Sequence, residues 1–91
     1  MQNVGKPGVA TCTAYYLANV DVQPPRIYAG PYRNHMDAYV DLFLLRDILI
    51  DLDREDTKMQ TYEITFKGDK LPNGSMNQHI IEEDPNSALA S

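Results

Sequence analysis

One stretch constrains this chain more than any other. From His35 to Asp53 there is neither glycine nor proline, and apolar residues recur with the period of an α-helix. Projected at about 100° per residue, Ala38, Leu42, Leu45, Leu49 and Leu52 fall on one stripe, with Tyr39, Phe43 and Ile50 beside it. Asp37, Asp41, Asp47 and Asp51 fall on the opposite side, interleaved with Val40, Leu44 and Ile48. Asn34 stands where an N-cap belongs, and Asp37 lies in the first turn, where the helix dipole favours an acid. The apolar arc spans well over half the circumference, whereas docking on one sheet needs about 100°. A helix of this kind calls for a second cover.

The flanking segments read as strands. Residues 10–22 are rich in β-branched and aromatic side chains without helical periodicity. One face presents Cys12, Ala14, Tyr16, Ala18 and Val20, mostly small, which suits a helix lying close against it; the other presents Thr11, Thr13, Tyr15, Leu17 and Asn19. Gln23-Pro24-Pro25 ends the strand, because proline donates no ladder hydrogen bond and restricts its predecessor. A short second strand over residues 26–29 and a turn over residues 30–33 lead into the helix. Beyond Asp56, residues 58–67 alternate cleanly, with Gln60, Tyr62, Ile64 and Phe66 on one face and Thr61, Glu63, Thr65 and Lys67 on the other.

Strand, strand, helix, strand implies an α+β fold. The expected sheet is a β-hairpin plus a third strand, in the order 2-1-3, with the helix packed on one face and the other face open. Residues 1–9 read as a flexible arm, residues 10–68 as the single domain, and residues 69–91 as a largely disordered acidic tail in which Ile80-Ile81 is the one pair of large apolar residues.

A chain of 91 residues has room for one small domain. Its only cysteine, Cys12, permits no intrachain disulfide, which points to a reducing cytoplasm. Its apolar runs, such as residues 42–45 and 48–50, fall far short of the roughly 20 residues that span a bilayer. The sequence holds no nucleophile elbow, no HExxH, no paired Cys/His set and no phosphate-binding glycine loop. Neither an enzyme mechanism nor a cofactor or metal site is therefore expected. The acid-rich residues 51–56 lack the glycine and closing glutamate of an EF-hand loop.

The net charge of −5 opposes binding to nucleic-acid phosphates. It is also unevenly spread, at +2 over residues 1–33 and −5 over residues 34–56. The excess of apolar helix surface points to a homo-oligomer, with a dimer favoured. Against it stands a compact monomer whose tail folds back over the helix. The acids either solvate an outer face or imitate a run of phosphates that would occupy the basic groove of a nucleic-acid-handling enzyme. Partner binding is then expected at Asp37, Asp41, Leu44, Asp47, Ile48 and Asp51.

A second cluster, Arg26, Tyr28, Tyr32, Arg33, Asn34 and His35, offers arginines that clamp phosphate and tyrosines that stack on a base, just ahead of a helix N-terminus. The same residues also serve as core, turn and cap. The leading expectation is a non-enzymatic acidic protein that binds and inhibits or modulates a protein partner. As a class, and without a shared motif, it resembles the small proteins with which phages and mobile elements block host defences. The alternative is a protein that binds or sequesters a nucleotide or another anion through the second cluster.

Overall fold

β1 (Thr11–Asn19) is the central strand, antiparallel both to β2 (Arg26–Tyr32) and to β3 (Gln60–Lys67), which gives the expected order 2-1-3. The computed structural model describes residues 10–90, so the arm expected over residues 1–9 lies outside the described residues. α1 (His35–Asp51) carries the chain from β2 to β3 across one face of the sheet. Asn34 caps it as expected, its side chain accepting the Asp37 N–H at 2.9 Å. The helix stops two residues sooner than the sequence suggests. Asp53 takes a left-handed φ of 58°, and the N–H groups of Asp53 and Arg54 close on the carbonyls of Ile50 and Leu49 at 3.0 and 2.7 Å.

β2 runs three residues further than expected, through Gly30 and Pro31 to Tyr32. Its pairing with β1 slips between Tyr15 and Ala18, and this irregularity lets an outer strand carry a proline. Gly30, at φ 132°, is needed there: a Cβ would meet the Tyr16 ring and the Tyr15 carbonyl.

The helix lies on the face opposite to the one its small residues suggested. Leu17, Ala29 and Tyr32 join Ala38, Leu42, Leu45 and Leu49 in the main core, with Tyr15 packed against it. Ala14, Tyr16 and Ala18 form a second cluster with Ile27, Tyr62, Ile64, Phe66 and Leu71. Cross-strand register supplies the reason. Cys12 pairs with Phe66, Ala14 with Ile64 and Tyr16 with Tyr62, so the small residues make room for large neighbours on β3 rather than for the helix.

Residues 69–90 are ordered, which corrects the expected disordered tail. The N–H groups of Gly74, Ser75 and Met76 donate to the Gly30, Ile27 and Tyr28 carbonyls of β2 at 3.0, 3.1 and 2.7 Å. α2 (Asn77–Glu83) and a 3-10 turn (Ala88–Ala90) follow. Met76 and Ile80, one turn apart, are buried in the main core. So short a helix does not form alone in water; it forms here because those two side chains have α1 and β2 to bury against.

Candidate functional site

Three arcs divide the circumference of α1. The first, Ala38, Leu42, Leu45 and Leu49, is buried among the main-core residues, as expected. α2 and the C-terminal turn cover the second, which holds Ile48, half-buried Leu44 and Asp41. Asp41 is only 2% exposed and accepts hydrogen bonds from the hydroxyls of Tyr32 and Ser87 at 2.8 and 2.7 Å. Burial, and then the Asp41 carboxylate, hold the Tyr32 phenol well above its ordinary pKa. Among the described residues, nothing covers the third arc. Met36 (64% exposed), Tyr39, Val40 (62%), Phe43 (50%) and Ile50 stand in solvent along it, with Leu52 beyond the last turn.

Its geometry is ordered by aromatic contacts. Tyr15 meets His35 edge-on at 6.1 Å, and His35 stacks on Tyr39 at 6.1 Å and 18°. Tyr39 meets Phe43 edge-on at 5.3 Å, and the Arg46 guanidinium lies 5.6 Å from the centre of the Phe43 ring. Met36, Phe43 and Ile50 recur at seven-residue intervals on the same side, the spacing with which one helix presents a seam to another.

The expected partner residues separate. Asp41 and Ile48 are buried, so neither is free to meet a partner, and the phosphate-like run of acids is broken at its second member. Asp37 and Leu44 are half-buried; Asp47 and Asp51 are exposed. These last two line a shallow groove of about 330 Å³ between α1 and α2 with Leu44, Ile48, Leu52, His79, Glu82 and Glu83. No sequence pattern shows that Glu82 and Glu83 join the acids of α1, because their placement follows from the docking of Ile80.

The expected anion cluster separates too. Arg26 and Tyr28 line an open cavity of about 630 Å³ with Arg54, Glu55 and Ser75 at the start of β2. Tyr32 and Arg33 border another, of about 320 Å³, with Asp37 and Ala88 at the far end. The two ends lie roughly 20 Å apart for a seven-residue strand. Asn34 is occupied as the cap, and His35 stacks on Tyr39. Tyr28 donates to Asp56 at 2.6 Å, and burial with that bond raises its pKa. Asp56 also accepts the Asn19 amide at 3.0 and 3.1 Å and the Lys58 N–H at 3.0 Å. Burial pushes its carboxyl up, but these donors and the nearby Arg26 charge outweigh it and leave the group below its ordinary value. Asp56 thus ties β1 and β2 to the α1–β3 connection.

Among the described residues, no three His, Cys, Asp or Glu side chains converge to hold a metal, and no helix is long and apolar enough to cross a membrane. Comparison of the chain with protein-family models, with curated proteins and with solved structures finds no match.

Proposed function

We propose that the protein is a non-enzymatic binding protein that works by docking the uncovered arc of α1 onto a protein surface and so modulating what it binds. One observation carries this reading. Met36, Tyr39, Val40, Phe43 and Ile50 stand exposed on a single side of a helix whose other sides are covered by its own chain. Large apolar side chains gathered in one patch mark an interface, whereas scattered ones do not. Asp47 and Asp51 flank the patch and extend into the acidic groove beside α2, so a protein with basic groups around an apolar ridge is the complementary partner. A cytoplasmic setting rests on the single cysteine, Cys12.

The test compares wild-type protein with Phe43→Asp, a substitution at a half-exposed position that leaves the fold in place. Association is read as self-association in sedimentation and as proteins captured from an extract of the source cells. The reading expects at least one of the two to occur with wild type and to vanish with Phe43→Asp. Association that is absent from both, or that survives the substitution, overturns it.

A further inference from the structure

Resting on that reading, we infer that the occupant of the uncovered α1 arc is a second copy of this chain, packed antiparallel about a two-fold axis at Phe43. Phe43 is the midpoint of α1, with exposed Met36 seven positions before it and exposed Ile50 seven after, and with Tyr39 and Val40 on its N-terminal side. When Phe43 faces its counterpart across such an axis, Met36 of one copy meets Ile50 of the other, so the seam is apolar at its centre and at both ends, while Tyr39 and Val40 of one copy face Arg46 and Asp47 of the other between them.

Charge selects the orientation. Arg33 stands just ahead of α1 beside the positive end of the helix dipole, with the acid Asp37 in the first turn. The C-terminal end carries Asp51, Asp53 and the negative end of the dipole, with no basic residue in its last turn and Arg54 just beyond it. An antiparallel pair opposes the two dipoles and sets Arg33 of one copy toward the Asp51 and Asp53 end of the other. A parallel pair would bring like ends together. Arg46, already held over the Phe43 ring, falls on the same flank as Tyr39 of the second copy, where the guanidinium meets another aromatic face.

The aromatic row from Tyr15 through His35 and Tyr39 to Phe43 is already in contact within one copy, so little side-chain freedom remains to be lost on docking. Seventeen helical residues make a seam about 25 Å long. A seam formed by one helix of that length buries less than the roughly 800 Å² per partner of a standard interface, which places the pair among the weaker associations. The acidic groove between α1 and α2 lies to one side of the seam and stays open in the pair.

Sedimentation equilibrium of the full chain over a concentration series, with circular dichroism as a check on folding, tests this. Wild type is expected to pass from the monomer mass of 10.3 kDa to twice that value. Phe43→Asp, which places two carboxylates face to face at the axis, weakens the pair by about 100-fold or more. Orientation is read in a Cys12→Ser background by mild oxidation. Phe43→Cys cross-links to a covalent dimer, whereas Ile50→Cys does not, because the two Ile50 positions lie about 21 Å apart in the antiparallel pair. A wild-type chain that stays monomeric at every concentration overturns the inference; so does a dimer unchanged by Phe43→Asp, or ready cross-linking at Ile50→Cys. If the chain is monomeric but Phe43→Asp still abolishes capture of a foreign protein, the docking reading stands and only the second copy is lost.

Discussion

Ile80→Ala probes the segment that the sequence presented as a tail. Ile80 is fully buried in α2, in one cluster with Leu45, Ile48, Leu49 and Met76. Truncation to alanine removes three carbons. At about 0.8 kcal/mol for each buried CH₂ that is about 2.4 kcal/mol, and the unfilled space raises the loss to about 2–4 kcal/mol. A domain of this size has roughly 5–13 kcal/mol of stability, so the variant loses a large share of it. At about 4–8 °C per kcal/mol the melting temperature falls by roughly 8–32 °C. Urea unfolding followed by far-ultraviolet circular dichroism measures the loss. Hydrogen exchange locates it, since the Ile80 and Asp84 amides bond within the affected turn at 3.1 and 2.8 Å. A loss under about 0.5 kcal/mol, the level of an exposed site, would refute the docking of α2 and return the segment to a loose tail.

Four further outcomes are expected from the same geometry. Ser87→Ala removes one of the two donors to buried Asp41 and costs about 2 kcal/mol in urea unfolding, the value of a hydrogen bond to a charged group. Thr61→Val replaces a buried hydroxyl that has no hydrogen-bond partner among the described residues and is expected to stabilise the fold by about 1 kcal/mol, read as a higher melting temperature. Asp53→Gly relieves a left-handed residue and removes an acid from the negative end of α1, for a gain of about 0.5–1 kcal/mol measured in dilute protein. The fourth is a pH dependence. Asp56 binds its proton less readily folded than unfolded, so its contribution is present above the unfolded value and is lost as pH falls through the folded one, below about pH 4. Melting temperatures across acid pH should fall less steeply for Asp56→Asn than for wild type.

Local patterns announced most of the framework. The uninterrupted run after Asn34, the cap itself and the clean alternation of Tyr62, Ile64 and Phe66 each depend on neighbours a few residues away, and each is found in place. What failed depended on partners distant in sequence. Small residues on β1 cannot say whether they accommodate a helix or the large side chains of the next strand, and the pairing of Ala14 with Ile64 decides it. Asp41 looked like one solvated acid among four, and only the Tyr32 and Ser87 hydroxyls make its burial tolerable. Ile80 reads as an apolar residue and a tail folded back over the helix stands among the expectations, yet nothing within seven polar-rich residues foretells a helix that forms only when docked. The expected patch at Leu44 and Ile48 went wrong for the same reason: α2 covers Ile48 and half-buries Leu44, which moves the open apolar surface round the helix to Met36, Val40 and Phe43.

That displacement separates what holds the fold from what remains for docking. Phe43 is half exposed when folded and more so when unfolded, so it contributes little to stability, and the same holds for Met36 and Val40. Their exposure therefore costs the monomer almost nothing in folding. It costs solubility, because a sustained apolar face invites indiscriminate contact. Arg46 and Asp47, set between Phe43 and Ile50, limit that contact to surfaces that can meet their charges. Buried Leu45 and Leu49 obey the opposite balance, since they stabilise the fold and are out of reach of any partner. A polar substitution on the open arc should thus leave the unfolding free energy, measured in protein dilute enough to be monomeric, within about 0.5 kcal/mol of wild type while abolishing association, whereas one on the covered arc should unfold the chain. An open-arc variant that lost stability as steeply as a core variant would mean that Phe43 and its neighbours are covered by the chain itself, and a helix so covered would have no face left to offer.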